Sequence, residues 1–124
     1  MAKILIVDDS PTETFRFREM LQRHGHVVLE ATNGADGVAM TLAEKPDLVL
    51  MDVVMPGMNG FQATRQITRG AQTSHIPVVI VSTKDQETDR VWGRRQGAKD
   101  YLTKPIDESM LVKVINGLLF QTQS

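Results

Sequence analysis

The chain has 124 residues, with 14 Lys or Arg against 15 Asp or Glu, a formal net charge of −1 and no Cys. This length suits one domain, and the charge balance argues against a generally basic, nucleic-acid-binding surface. The lack of Cys excludes disulfides, Cys-ligated zinc and thiol nucleophiles, and it suits a reducing compartment. No apolar run is long enough for a signal peptide or a membrane span, so we expect a cytoplasmic protein.

The predicted strands are short apolar runs, most of them rich in β-branched residues. In chain order they are residues 4–7, 27–29, 48–51, 78–81 and, more weakly, 101–102. The first, third and fourth runs are apolar at successive positions. That pattern is typical of strands buried on both faces of a parallel sheet.

The segments between the strands predict five helices. The first begins at Ser10 as N-cap, with Pro11 at the first helical position and Glu13 closing a capping box. The last residues, 121–124, are expected to be frayed. The apolar stripes of the other helices are Ala35, Val38, Ala39 and Leu42 in the second, Phe61, Thr64 and Ile67 in the third, Val91 and Trp92 in the fourth, and Leu111, Val114, Ile115, Leu118 and Leu119 in the fifth.

Alternation of five strands with five helices predicts an α/β fold with one doubly wound parallel sheet and helices on both faces. No repeat or linker interrupts the pattern, and what remains outside it is too short for an output domain. We therefore expect residues 1–124 to form a single domain.

The reactive side chains share one place in this fold, because each follows a predicted strand at its carboxyl end. Those ends form one edge of an open α/β sheet, and ligands bind there at the topological switch point. The residues concerned are Asp8 and Asp9 after the first strand, Asp52 after the third, Ser82 and Thr83 after the fourth, and Lys104 after the fifth.

Three carboxylates in one crevice repel each other, so one takes up a proton or a cation lies among them. Mg²⁺ is the natural occupant, since it prefers carboxylates together with water and phosphate oxygens. A metal, the Lys104 ammonium and the Ser82 hydroxyl together suit a transferring phosphoryl group. Asp52 is the best candidate nucleophile, because it lies between the acidic pair and the hydroxyl.

The sequence resembles the receiver domain of two-component response regulators, the CheY-like fold, over nearly its whole length. The motifs that carry the resemblance are IVDDS at 6–10, MDVVMPGMNG at 51–60, VS at 81–82 and TKP at 103–105. The text of residues 59–66 and 82–93 is similar to PilH-type stand-alone regulators of type IV pilus (twitching motility) chemosensory systems. The resemblance implies strand order 2-1-3-4-5.

The resemblance also implies the roles of the site residues. Asp52 is the phosphoacceptor for a histidine kinase. The Mg²⁺ ligands are Asp9, Asp52 and the backbone carbonyl of Val54, with Asp8 acting through water. Ser82 bonds the phosphoryl oxygen and Lys104 pairs with it.

Further implied features concern switching and the lifetime of the phosphoryl group. Tyr101 matches the aromatic switch position, which turns inward when Ser82 moves towards the phosphate. The Lys104-Pro105 bond is expected to be cis. Dephosphorylation is tuned at Val54, Thr83 and Lys84, and their side chains predict slow loss of phosphate.

The partner surface is the least determined feature. If Val91 points to the core, Arg90 and Arg94 form a basic patch beside Tyr101 that suits an acidic partner. We expect a monomer that binds no nucleic acid and does not insert into membranes.

Several functions share this fold and remain open. One is a phosphate sink that drains a shared kinase without an effector. Another is a flavodoxin-like cofactor binder, although Asp8 and Asp9 would repel a flavin phosphate. A third is a Mg²⁺-dependent phosphatase, which would carry a general acid where this chain has Val54. We expect self-phosphorylation and slow self-dephosphorylation but no metabolic enzyme activity.

Overall fold

The computed structural model describes residues 1–120, so the fraying expected for 121–124 lies outside the described residues. Within residues 1–120, each strand is followed by a helix. The elements are β1 Lys3–Val7, α1 Pro11–Arg23, β2 Val27–Ala31, α2 Gly34–Glu44, β3 Leu48–Met51, α3 Gly60–Arg69, β4 Val78–Ser82, α4 Glu87–Arg95, β5 Asp100–Thr103 and α5 Glu108–Leu119.

The strands form one parallel sheet in the order β2-β1-β3-β4-β5. The predicted strand order is therefore confirmed. The order changes direction between β1 and β3, which makes the ends of these two strands the switch point where ligands bind. The chain itself thus delivers the residues after β1 and β3 to the same crevice.

Helices cover both faces of the sheet. Helices α1 and α5 pack on one face around Ile4, Leu50 and Leu111, while α2 and α3 pack on the other around Val7 and Met51. Every residue of β3 and β4 is buried. Burial on both faces explains why these strands read as continuous apolar runs.

Helix α1 begins at Ser10 as predicted, but the closed capping box is wrong. Ser10 Oγ accepts a hydrogen bond from the Glu13 amide at 3.3 Å, whereas the Ser10 amide donates to Asp8 Oδ1 at 2.9 Å. The Glu13 carboxylate lies 3.4 Å from Arg16 and 3.7 Å from Lys104. Two cations therefore take the side chain that was expected to close the box.

The apolar stripe predicted for α2 is wrong at three of its four residues, since only Val38 packs against the core. Leu42 is 50% exposed, and Ala35 and Ala39 are exposed as well. A Cβ at Gly37 would lie 2.8 Å from a methyl of Val7, so close approach to β1 selects the smallest side chains rather than the most apolar ones. The residues that α2 buries most fully are Gly34, Gly37 and Thr41.

Helix α4 shows the same effect. Val91 and Trp92 are 44% and 48% exposed, so the predicted stripe does not face the core. The buried residue is Gly93, where a Cβ would lie 3.0 Å from Ile80 Cδ1 and 3.1 Å from Tyr101 Cδ2. The helix backbone thus lies almost directly on β4 and β5.

Helix α5 agrees with its prediction. Leu111 and Ile115 are buried, and Val114, Leu118 and Leu119 are partly buried against the same cluster. None of the helices in residues 1–120 combines the length and apolar character needed to cross a membrane.

Candidate functional site

Backbone hydrogen bonds beyond the strands hold the candidate site residues together at the carboxyl edge, the edge formed by the C-terminal ends of the strands. The Asp8 amide donates to the Ala31 carbonyl at 3.1 Å, and the Asp52 amide donates to the Val7 carbonyl at 2.9 Å. The Lys104 amide donates to the Ser82 carbonyl at 2.9 Å. Each reactive side chain therefore starts from a backbone position that a neighbouring strand restrains.

The three predicted carboxylates converge. Asp8, Asp9 and Asp52 each place a carboxylate oxygen within 4.8 Å of the other two. Asp8 and Asp52 are buried, with 3% and 8% exposure, whereas Asp9 is exposed. The cluster is thus open to solvent on the Asp9 side and enclosed on the other.

Lys104 lies among these acids. Its Nζ is 2.9 Å from Asp8 Oδ2, 3.6 Å from Asp52 Oδ1 and 3.7 Å from Glu13 Oε1. The side chain is 9% exposed, so the ammonium is held in a site with little water. These carboxylates raise the pKa of Lys104 despite its burial, so it stays a fixed positive charge.

The crevice holds four carboxylates, those of Asp8, Asp9, Asp52 and Glu13, against the single ammonium of Lys104. The site therefore has an excess of negative charge. Burial, and then the neighbouring Asp8 charge, raises the pKa of Asp52 to about 6 against the opposing effect of Lys104. Repulsion of this kind is relieved by a proton or a cation, and an all-carboxylate oxygen set suits a hard divalent ion. The donor atoms of this crevice therefore fit Mg²⁺.

The two oxygens of Asp8 are already occupied. Oδ1 accepts from the Ser10 amide at 2.9 Å, and Oδ2 accepts from Lys104 Nζ at 2.9 Å. Asp9 makes no such contact among the described residues and faces solvent. Asp9 is thus the more available carboxylate of the pair.

Ser82 is fully buried at the end of β4. Its Oγ accepts a hydrogen bond from the Lys84 amide at 3.1 Å. A hydroxyl keeps its own proton free for donation when it acts as acceptor. Ser82 is therefore able to donate to an oxygen that arrives at the carboxyl edge.

Tyr101 already points inward. It is 3% exposed, and its hydroxyl donates to the Lys84 carbonyl at 2.6 Å. Tyr101 thus occupies the inward position in this structure. The backbone of Lys84 links the two side chains, because its amide donates to Ser82 Oγ and its carbonyl accepts from the Tyr101 hydroxyl.

Arg90 is not part of an outward basic patch. Its guanidinium donates to the Tyr101 carbonyl at 3.2 Å and to Thr103 Oγ1 at 2.8 Å, and it lies 5.3 Å from the centre of the Tyr101 ring. The premise of that patch was a core-facing Val91, which is in fact 44% exposed. Arg94 is exposed and makes no ion pair within residues 1–120.

The residues expected to tune dephosphorylation surround the crevice from outside. Val54 is 60% exposed, and Thr83 and Lys84 are exposed. An alkyl chain, a hydroxyl and a long ammonium stem thus lie at the solvent side of the carboxyl edge. The Lys104-Pro105 bond is cis, as expected.

Two contributors to the site were missed from sequence. Glu13 was interpreted only as a capping residue, and its approach to Lys104 depends on a fold contact 91 positions away in the chain. Gly60 follows the loop that begins at Asp52, and a Cβ at position 60 would lie 1.9 Å from the Asp52 carbonyl oxygen. Its amide donates to the Val53 carbonyl at 2.9 Å. Position 60 therefore needs Gly so that α3 can begin against the backbone of Asp52.

The sequence matches both a protein family and a curated protein over nearly its whole length. The family described as response regulator receiver domain matches residues 4–116. The chain is 69% identical over 119 residues to Protein PilH of Pseudomonas aeruginosa, covering 96% of this chain and 98% of that protein.

Solved structures agree with this assignment. The Vibrio cholerae chemotaxis protein CheY4 superposes with a TM-score of 0.89 at 29% identity, covering 96% of this chain and 99% of that one. The receiver domain of the Pseudomonas aeruginosa sensor histidine kinase PA1611, which has a magnesium ion coordinated in its active-site cleft, gives 0.88 at 26% identity over 95% and 97% of the two chains. This chain therefore belongs to the response-regulator receiver domain family.

Proposed function

We propose that this chain is a phosphorylation-controlled switch in which Asp52 accepts a phosphoryl group from a histidine kinase. The observation that carries the proposal is the position of Asp52. It lies at the switch point of the sheet, within 4.8 Å of two other carboxylates and 3.6 Å from a buried ammonium. A carboxylate placed between anionic metal ligands and a fixed cation suits nucleophilic attack on a phosphoryl group.

In the proposed step, an Asp52 carboxylate oxygen bonds to phosphorus while the bond from phosphorus to the kinase imidazole nitrogen breaks. The electron pair leaves with the imidazole, which takes a proton from solvent. Lys104 offsets charge on the equatorial oxygens because its Nζ already lies 3.6 Å from Asp52. In self-dephosphorylation, water attacks phosphorus, the bond between phosphorus and the Asp52 oxygen breaks, and inorganic phosphate is released. No further turnover is proposed.

We propose Asp9, Asp52 and the Val54 carbonyl as Mg²⁺ ligands, with Asp8 acting through water. The engaged oxygens of Asp8 and the open Asp9 support this division. When bound, the ion neutralises charge on the phosphoryl oxygens. The raised pKa of Asp52 supports the need for such a cation.

We propose Ser82 and Tyr101 as the switching pair. Movement of the Ser82 hydroxyl towards a phosphoryl oxygen releases the Lys84 amide, whose residue also holds the Tyr101 hydroxyl. The inward position of Tyr101 is the one that movement of Ser82 towards the phosphoryl group would favour. Tyr101 and exposed Arg94 belong to the proposed partner face, while Arg90 supports that face from within.

The pathway proposal rests on the 69% identity to PilH. We propose a chemosensory phosphorelay that controls pilus-based motility, with the chain acting in the cytoplasm as a monomeric receiver over residues 1–124. The chain serves either as an effector or as a phosphate sink. Competition with a second regulator for one kinase separates these roles. A sink shortens the time for which the second regulator stays phosphorylated, and it does so without binding a target.

The proposal is tested by phosphorylation with acetyl phosphate and Mg²⁺. The wild type should gain one phosphoryl group that hydroxylamine removes, and Asp52→Asn should gain none. The matched control is Asp47→Asn, which removes an exposed carboxylate beside Lys3 at the opposite, amino edge of the sheet and should label normally. Full labelling of Asp52→Asn would sink the assignment.

The metal assignment has its own measurement. Asp9→Ala should lower Mg²⁺ affinity by about tenfold in titration calorimetry, because it removes the most available ligand. Asp47→Ala, at the amino edge of the sheet, should leave the affinity unchanged. Equal affinities in all three proteins would place the ion elsewhere.

The shielding argument predicts slow loss of phosphate. Val54 cannot orient a water, and Lys84 at pH 7 has no acceptor with which to act as a base. A Val54→Asn, Lys84→Glu variant should therefore lose its label several-fold faster than the wild type. Equal decay rates would contradict the shielding role of these two residues.

A further inference from the structure

Charge is unevenly divided along the chain. Residues 53–99 contain seven Lys or Arg and three Asp or Glu, a formal charge of +4, while the rest of the chain contains seven and twelve, a formal charge of −5. Between Asp52 and Asp85 there is no acidic residue. The near-neutral total therefore hides a basic segment that includes all of α3 and α4.

The basic segment also differs in how its cations are paired. On α1, by contrast, Arg16, Arg18 and Arg23 each form an ion pair with a carboxylate. Within residues 1–120, no carboxylate lies within 4 Å of the cations that α3, the end of α4 and the residue before β5 expose. Those cations are Arg65 and Arg69 on α3, Arg95 at the end of α4, and Lys99, which immediately precedes β5.

Two grooves run along this side of the molecule, and Arg69 lines both of them. One groove of about 640 Å³ follows α3 and is lined by Gly57, Met58, Gln62, Arg65, Gln66 and Arg69. A second groove of about 310 Å³ lies between the ends of α3 and α4 and includes Arg69, Arg95 and Lys99. Guanidinium groups thus line a concave surface that also contains the Met58 side chain.

Trp92 lies beside these cations. Gly93 faces Ile80 and Tyr101, and Arg90 reaches β5 from one flank of α4. At 100° per residue, Trp92 and Arg95 lie on the opposite flank, which faces α3. The indole is 48% exposed, which is a large apolar surface to leave among charges.

We propose that the α3–α4 face, formed by Arg65, Arg69, Trp92, Arg95 and Lys99, docks an acidic polypeptide segment of a partner protein. Charge complementarity identifies the occupant, because the four cations lack carboxylates of their own. A guanidinium fork binds a carboxylate through two hydrogen bonds, and Trp and Arg are frequent anchors of protein interfaces. Concave grooves lined by guanidinium groups fit an extended acidic chain better than the broad surface of a bilayer.

The second groove lies away from the carboxyl edge, although Gly57 and Met58 of the first groove follow Asp52 in the loop after β3. The Lys99 amide donates to the carbonyl of Val78, the first residue of β4, so the second groove lies at the amino edge of the sheet. A segment docked there leaves Asp52 accessible. The proposal therefore does not rest on phosphorylation of Asp52, and it predicts binding by the unphosphorylated chain.

The probe for the test is a synthetic peptide of repeated Glu-Glu-Leu units, with a Gln-Gln-Leu peptide as its uncharged counterpart. Trp92 is the one tryptophan of the chain, so its emission reports this face alone. The acidic peptide should shift Trp92 emission to the blue in a saturable manner at low salt, and the uncharged peptide should not. A titration with no shift would overturn the proposal.

Two charge-matched variants locate the binding. Arg69→Gln with Arg95→Gln should weaken peptide affinity about tenfold, while Arg16→Gln with Arg18→Gln should weaken it less than twofold despite the same change in net charge. Circular dichroism checks that both pairs fold. Equal losses in the two pairs would overturn the proposal, because they would show attraction to net charge alone. Tighter binding to anionic lipid vesicles or to single-stranded DNA than to the peptide would overturn it as well.

Discussion

The carboxyl edge and the α3–α4 face both concentrate charge, but they hold it in opposite ways. At the edge, Lys104 is 9% exposed and has three carboxylates within 4 Å. On the face, Arg69 and Arg95 are exposed and have no carboxylate within that distance in residues 1–120. Charged groups that are buried next to each other are held in a fixed geometry, and their pKa values are shifted. Both properties suit a reactive site. Charges left in water cost little to place and remain available to a partner.

The largest effect on stability is expected at Gly60, where α3 packs directly against the backbone of the carboxyl edge. Gly60→Ala should lower the free energy of unfolding by about 3 kcal/mol, because the new Cβ would lie 1.9 Å from the Asp52 carbonyl oxygen and has only backbone to displace. Urea unfolding measures the loss, and phosphorylation by acetyl phosphate should fall with it. Gly117→Ala is the matched control, since nothing lies within 4 Å of a Cβ there and α5 should gain about 0.5 kcal/mol. Similar effects at both positions would show that packing against Asp52 is unimportant.

The next effect removes the central cation of the edge. Lys104→Met should lower the free energy of unfolding in EDTA by about 2 kcal/mol, because the carboxylates of Asp8 and Asp52 lose their partner while staying buried. The same variant should bind Mg²⁺ more tightly, since a competing positive charge is gone. Denaturant unfolding and calorimetry measure the two changes. Exposed Lys113→Met should change neither, and unaltered Mg²⁺ affinity in Lys104→Met would argue against a shared site.

The third prediction concerns pH. The pKa of Asp52 is raised in the folded chain to about 6, above its value in the unfolded chain, so the native state binds more protons and loses stability as pH rises from about 4 to above 6. Asp52→Asn should therefore be more stable than the wild type by roughly 1–2 kcal/mol at neutral pH in EDTA, after allowance for solvent screening. The advantage should vanish below about pH 3, where the wild-type carboxyl is protonated in both the folded and the unfolded state. A gain that does not vary with pH would contradict this origin.

A smaller effect is expected at Arg90, which lies between the two regions. Arg90→Met keeps the aliphatic stem but loses the hydrogen bonds to Tyr101 and Thr103 and the contact with the Tyr101 ring, for a loss of about 1 kcal/mol. Tyrosine labelled with fluorine at Tyr101 should show a broadened or shifted resonance. Arg94→Met, on an exposed position of the same helix, should leave both measurements unchanged.

The smallest effect is expected on the α3–α4 face. Arg69→Gln with Arg95→Gln should lower the free energy of unfolding by about 0.5 kcal/mol, because both residues lie in the last turn of a helix and lose only their interaction with its dipole. High salt should remove this difference. A loss comparable to that of Lys104→Met would show that these arginines are structural and would make the comparison of the two regions untenable.

The convergence of Asp8, Asp9, Asp52 and Lys104 was predictable because position after a buried strand is a local property of the sequence, whereas the strand order came from the resemblance to receiver domains. The packing of α2 and α4 was not predictable, since Gly37 and Gly93 face the sheet where apolar side chains were expected. Hydrophobicity predicts what a face can bury, whereas the distance between backbones decides what fits. The direction of Arg90 was missed for the same reason. With Gly93 so close to Tyr101, a side chain three positions earlier can reach β5.

The contacts of Arg90 have a consequence for how information passes through the chain. They fasten α4 to Tyr101 and Thr103, and Thr103 immediately precedes Lys104, whose ammonium lies 3.6 Å from Asp52. Reciprocity then applies in both directions. A target that binds α4 more tightly after phosphorylation must, by the same free energy, favour transfer of the phosphoryl group to Asp52 while it is bound. Occupancy by such a target would shift the equilibrium of phosphoryl transfer towards Asp52, so the output of a switch of this kind would also be one of its inputs.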